Sequence, residues 1–261
     1  MTTQNKIIVV KIGGSTLGSR DTTVEDVVEL QRQDWSLVVV HGGGKMITDW
    51  VAKQGIKANF VRGERVTDKP TLDVAIAVLA GVVNKEITAA ITALGGKAVG
   101  LSGVDGGLIQ SEVKNAELGY VGGITSVDLS VLRALLKSGF IPVVATVCFN
   151  KSAKGNEPQI LNVNADTIAG ELAAALNAKK LVFLTDVDGI HDSSGKVLNE
   201  LSLQEAGILI DSGVANGGMI PKIKACIQVA GGKASCCIID GRQPHALLHD
   251  VQGKTSGTVI K

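Results

Sequence analysis

A chain of 261 residues is long enough to bury a core of its own without metal or disulfide staples. Lys and Arg number 26 against 25 Asp and Glu, a net charge of +1 that offers no general field for nucleic acid or anionic lipid, so any anion has to be bound locally. The 32 glycines exceed average usage and mark places where the backbone turns tightly or is approached closely.

The polar stretch Met1–Asn5 has no charged region followed by a cleavable apolar one, and no run approaches 18 consecutive apolar residues. The expectation is a cytoplasmic protein with no membrane partner. Apolar, β-branched runs recur at Lys6–Val10, Leu37–Val40, Phe140–Val147, Lys180–Leu184 and Ser235–Ile239, the pattern of strands buried on both faces. Helical periodicity fills the intervals Val24–Gln33, Met46–Gln54, Thr71–Leu94, Leu129–Lys137, Asp166–Leu176, Leu203–Asp211 and Met219–Ala230. This alternation predicts an α/β fold with an open, mostly parallel sheet sandwiched between helices. Lys97–Gly123 is broken by glycines and reads as hairpins over a substrate, and the polar stretch Lys151–Pro158 suggests lobes 1–150 and 151–261.

Three glycine-rich elements follow predicted strands: Lys11-Ile12-Gly13-Gly14-Ser15, His41-Gly42-Gly43-Gly44 and Asp186-Val187-Asp188-Gly189. Strand ends are where open α/β sheets bind ligands, and glycine lets main-chain N–H groups reach phosphate oxygens. The G-x-G-x-x-G dinucleotide pattern fails because Ile47 holds the last glycine position, and a Walker A loop at Gly253-Lys254-Thr255 fails because Leu248 stands where its first glycine belongs. His41, His191, His245 and His249 form no ligand cluster with carboxylates, so no metal is expected to be held by protein alone. Cys148, Cys226, Cys236 and Cys237 lack C-x-x-C spacing and read as small buried free thiols.

From nearly its first residue to its last, the chain resembles the acetylglutamate kinase branch of the amino acid kinase family. The matching stretches are Lys11–Gly14, His41–Gly44, Arg65–Asp68, Asn84–Glu86, Gly100–Gly103, Asn162–Asp166, Leu184–Val187, Gly217–Lys222 and Ile239–Arg242. The resemblance implies phosphoryl transfer from ATP, with Mg2+ bound to it, onto the side-chain carboxylate of N-acetyl-L-glutamate in arginine biosynthesis. It assigns Lys11 and Lys222 to the moving phosphoryl group, with Asp166 orienting them. It further assigns Gly13, Gly14 and Gly44 to phosphate, Gly43, Gly44, Arg65 and Asn162 to the acceptor, and Thr185, Asp186, Val187, Gly218 and Met219 to the nucleotide. By residue chemistry alone, Asp166 could instead charge the first turn of its helix, and Arg62 competes with Arg65 as the carboxylate clamp. Two departures from the family pattern stand out: Gly123, where a difference in local substrate contacts is expected, and Asp188, which touches the nucleotide loop but no assigned catalytic group.

Two rivals remain at this level: a sister kinase for acetylaminoadipate or a carrier-linked acidic amino acid, and a non-catalytic amino-acid or nucleotide sensor on the same fold. A homodimer through Thr71–Leu94, insensitive to arginine, is the expected assembly, because the additional N-terminal helix of arginine-inhibited relatives has no counterpart before Lys6.

Overall fold

The computed structural model describes residues 6–13, 22–61, 64–231 and 234–261. Its strands, in chain order, are β1 (Ile7–Ile12), β2 (Ser36–His41), β3 (Phe60–Val61), β4 (Glu64–Arg65), β5 (Ala98–Ser102), β6 (Ile109–Val113), β7 (Val121–Val127), β8 (Ile141–Ala145), β9 (Val147–Asn150), β10 (Ile160–Val163), β11 (Lys180–Thr185), β12 (Glu200–Leu201), β13 (Ser235–Asp240) and β14 (Gly257–Ile260). The helices are α1 (Thr23–Arg32), α2 (Gly44–Lys53), α3 (Lys69–Ile76), α4 (Asn84–Ala93), α5 (Ser130–Lys137), α6 (Ala165–Ala175), α7 (Leu203–Asp211), α8 (Met219–Ala230) and α9 (Ala246–Val251). A π-helical segment, Ala77–Val83, joins α3 to α4 into one continuous helix.

Eight strands form the main sheet in the order β12-β14-β13-β11-β1-β2-β8-β5. Every neighbouring pair in it is parallel except β13–β14, so the expected open, mostly parallel sheet is present. Its central strand β1 shows why the sequence reads as buried on both faces. Ile8, Val10 and Ile12 pack into one core with α1, α2 and the Lys69–Ala93 helix, whereas Val9 packs into the other with α6 and α8. Each such fully buried side chain contributes on the order of 1.5–3 kcal/mol. Strand alternation puts Lys11 on the Val9 side, facing the helices that carry Asp166 and Lys222.

Local chemistry fixes several boundaries. Ser202 caps α7 reciprocally with Glu205, and Asp68 caps α3 by accepting from the Thr71 N–H with Pro70 in the first turn. A second, small closed sheet of β10, β7, β6 and β9 stands over the carboxyl end of the main sheet. It contains the expected hairpin as β6–β7, but Ala98–Ser102 is not part of it. That segment pairs in parallel with β8 and forms the edge of the main sheet, because its half-exposed, glycine-containing sequence needs only one neighbour.

The cysteine expectation is corrected for two residues: Cys226 and Cys236 form a disulfide, while Cys148 and Cys237 are free and buried. Packing of α8 on β13 brings the two Cα atoms to 5.2 Å, within bonding range. The Lys69–Ala93 helix contains an 18-residue stretch with a mean hydropathy of 1.7, long and apolar enough to pass as a membrane span by length and composition, although charged and polar residues interrupt its apolar run. In the fold Leu72, Val74, Val78, Leu79, Val83, Ile87 and Ile91 of this helix are buried.

Candidate active site

The carboxyl ends of β1, β2 and β10 and the first turns of α2, α6 and α8 meet above the sheet. Asn164, directly after β10, caps α6 by accepting from the N–H groups of Asp166 and Thr167 at 2.9 and 3.0 Å. Capping therefore falls to Asn164, and the Asp166 carboxylate is left for other work. Its Oδ1 lies 2.9 Å from Lys11 Nζ and its Oδ2 accepts a 2.9 Å hydrogen bond from Lys222 Nζ. Lys222 also donates to the Gly218 carbonyl at 3.0 Å, one turn back on α8. Lys11 and Asp166 are 8% and 5% exposed, so two cations and one anion share a nearly dry place. A close approach of α6 to α8 makes the meeting possible: a Cβ on Gly170 would stand 2.7 Å from Ala225 Cβ. Buried charges of this kind persist only when paired, and the surplus cation here prepares the place for an anion.

Beside the triad lies a cavity of about 230 Å³ lined by Gly42, Gly43, Gly44, Phe60, Arg65 and Asn162, by the polar Glu64, Thr146 and Asn164, and by neighbouring apolar residues. Arg65 reaches across from β4 to α2, donating from Nη2 to the Gly44 carbonyl at 2.8 Å and to Thr48 Oγ1 at 2.7 Å, with Phe60 stacked 4.8 Å from its guanidinium. Its Nη1 is buried and has no hydrogen-bond partner among the described residues. Burial also lowers the Arg65 pKa, which expresses the cost of holding an uncompensated charge there. Asn162 donates to Thr67 Oγ1 at 3.3 Å on the same wall. Among the described residues no side chain caps α2 at Gly43, and a Cβ there would come within 2.8 Å of Leu79, so bare main chain lines this part of the cavity. The uncapped helix start is a natural seat for an anionic group.

The remaining assigned residues are more dispersed. Gly13 lies just past β1 and its N–H donates to the Leu184 carbonyl at 3.1 Å. Gly14 and Arg62 lie outside the described residues. Thr185 ends β11 opposite Asp240 of β13, followed by Asp186 and Val187, and the Thr185 hydroxyl donates to Asp186 Oδ1 at 3.3 Å. Gly218 and Met219 begin α8. Sequence reasoning gave no role to Phe60, Thr48 and Thr67, which hold Arg65 and Asn162. The β3–β4 hairpin that brings Phe60 to Arg65 is only two residues per strand, too short to leave a periodic signal.

The family model described as the amino acid kinase family matches residues 6–240. Acetylglutamate kinase from Dehalococcoides mccartyi strain 195 is 44% identical over 257 residues, covering 98% of this chain and 94% of that protein. Acetylglutamate kinase from Nostoc sp. PCC 7120 is 44% identical over 254 residues, covering 94% of this chain and 84% of that one. Among solved structures, smu.665 from Streptococcus mutans UA159 superimposes with a TM-score of 0.82 at 26% identity, covering 99% of both chains. The chain belongs to the amino acid kinase family.

Proposed function

We propose that the protein transfers the terminal phosphoryl group of ATP to the side-chain carboxylate of N-acetyl-L-glutamate, a step of arginine biosynthesis. The observation that carries this reading is the convergence of Lys11 and Lys222, each 2.9 Å from the one carboxylate of Asp166, beside a cavity holding the unpaired Nη1 of Arg65. The acceptor's main-chain carboxylate pairs with Arg65 and Asn162, and its side-chain carboxylate lies against Gly43 and Gly44 at the positive end of α2. ATP lies along Thr185, Asp186, Val187, Gly218 and Met219, with Gly13 and Gly14 toward its phosphates. On this reading residues 1–150 hold the acyl amino acid and 151–261 the nucleotide.

An acceptor carboxylate is ionised at neutral pH, so no general base is needed. One of its oxygens attacks the γ-phosphorus while the bond to the β–γ bridging oxygen breaks, leaving an acyl phosphate and ADP with the electron pair. Lys11 and Lys222 offset the charge spreading over the equatorial oxygens, and Asp166 keeps their ammonium groups in register. Magnesium arriving on the phosphates of ATP would neutralise part of their charge. One ammonium group stands 2.9 Å from each oxygen of Asp166, which suits a carboxylate that orients the two lysines.

ADP release measured with Mg-ATP and N-acetyl-L-glutamate tests the reading, with N-acetyl-aminoadipate as the longer comparator. Lys11→Met and Lys222→Met each slow turnover roughly 10²–10³-fold, the effect of losing one preorganised donor. Lack of acceptor-dependent turnover by the wild type would favour a sensor. The Lys69–Ala93 helix leaves Ala77 and Gly81 exposed and Ala80 and Val82 half buried, small apolar residues suited to a second copy of the same helix. The proposed assembly is accordingly a homodimer through this helix, checked by sedimentation.

A further inference from the structure

Directly before the second glycine run stands a histidine that the chemistry above does not use. His41 ends β2 and is fully buried. Its Nδ1 lies 3.0 Å from the Gly42 carbonyl oxygen, and its Nε2 lies 3.2 Å from Asn84 Nδ2. The same Asn84 nitrogen faces the carbonyls of Leu101 at 3.2 Å and Val143 at 2.8 Å. Those carbonyls can only accept, so the amide turns its NH₂ toward them; its two hydrogens are shared among three neighbours, and a hydrogen on Nε2 would face that NH₂, so Nε2 carries none. The Gly42 carbonyl can also only accept, so Nδ1 must carry the hydrogen. Geometry thus selects the neutral Nδ1–H tautomer, and burial, which pushes the pKa down to about 4, keeps the ring neutral.

We infer that His41 is a positioning residue of the phosphoryl-transfer site: its Nδ1–H holds the Gly42 carbonyl and thereby aims the Gly43 N–H on the other side of that peptide plane. A trans peptide is rigid, so the carbonyl of Gly42 and the N–H of Gly43 point in opposite directions and turn together. No side chain on the loop can perform this aiming, because Gly43 has no room for a Cβ against Leu79 and, among the described residues, no side chain caps α2. Alignment comes instead from behind, through a ring locked by Asn84 of α4, whose own Oδ1 accepts from Lys85 Nζ at 3.1 Å. The inference rests on the reading of the Gly42–Gly44 cavity as the acceptor site.

The test compares His41→Gln with His41→Asn in steady-state kinetics, alongside thermal unfolding of both. An Asn amide nitrogen can stand where Nδ1 stood, whereas a Gln amide reaches the place of Nε2 and leaves the Gly42 carbonyl unheld. His41→Gln lowers kcat/KM for the acyl amino acid roughly 10²-fold, the scale of a misaimed donor, and leaves the KM for ATP unchanged. His41→Asn recovers most of that loss, even where the two variants are equally destabilised. In the wild type, long-range ¹⁵N–¹H spectra show a protonated Nδ1 and a bare Nε2 throughout the neutral range. An Nε2–H tautomer, or equal kinetic losses in the two variants with an active wild type, overturns the inference. An inactive wild type removes the kinase reading and the catalytic consequence drawn for His41 together.

Discussion

Replacing Asp166 with Asn keeps the shape of the side chain and removes its charge. The carboxylate stands 2.9 Å from both Lys11 Nζ and Lys222 Nζ, and all three side chains are largely buried. With charge centres about 4 Å apart and an effective dielectric near 20, each attraction amounts to about 4 kcal/mol. Desolvation costs several kcal/mol per ion and offsets most of that gain, so the intact triad is close to neutral for stability. Breaking it is not neutral, because two ammonium groups are then left facing each other without a counter-ion. The expected loss in Asp166→Asn is about 3–5 kcal/mol, read by urea denaturation. For a chain of this size that corresponds to a midpoint roughly 6–20 °C lower. Because the unpaired ammonium groups then lack an anion, sulfate or ATP stabilises the variant more than it stabilises the wild type. A variant within about 1 kcal/mol of wild type, an ordinary surface effect, would refute the claim that Asp166 holds the lysines together.

Arg65→Lys keeps the charge but loses the second arm of the fork, so KM for the acyl amino acid rises roughly 10-fold or more while KM for ATP stays unchanged in steady-state kinetics. Acid sensitivity follows from His41: its pKa falls from 6.5 in the unfolded chain to about 4 in the fold, so the unfolded state takes up the proton first. Its contribution is intact above pH 6.5 and is lost as pH falls toward 4, by about 3 kcal/mol in all, a slope that denaturation of His41→Asn should flatten. His245, raised by its hydrogen bond to Asp26, acts in the opposite sense and loses its contribution as pH rises. Alkylation of the unfolded, unreduced chain should label Cys148 and Cys237 but not Cys226 and Cys236, and reduction should cost roughly 3 kcal/mol for a loop of this length.

How far the sequence reached depended on how local each determinant was. The strands around Val9, Val39, Val182 and Ile238 were legible because side chains buried on both faces leave an unbroken apolar run. The helices Leu203–Asp211 and Met219–Ala230 were legible to the residue. Ala98–Ser102 was not, because an edge strand with one neighbour needs no such run. Nor was β14, four residues long, which becomes a strand by pairing antiparallel to β13 and parallel to β12.

For the site, the residue types of Lys11, Asp166, Lys222, Arg65 and Asn162 could be named from motifs, each set by its own short stretch of chain. Their relations could not. That one carboxylate serves both lysines, that Asn164 takes over capping, that Arg65 keeps a bare Nη1, and that Asn84 locks His41 all depend on distances between distant segments. Local pattern determines which face of a strand or helix a residue occupies, because the periodicities are properties of the backbone. Which faces then meet is decided by sheet order and helix packing, where closures such as Gly170 on Ala225 set the final separations.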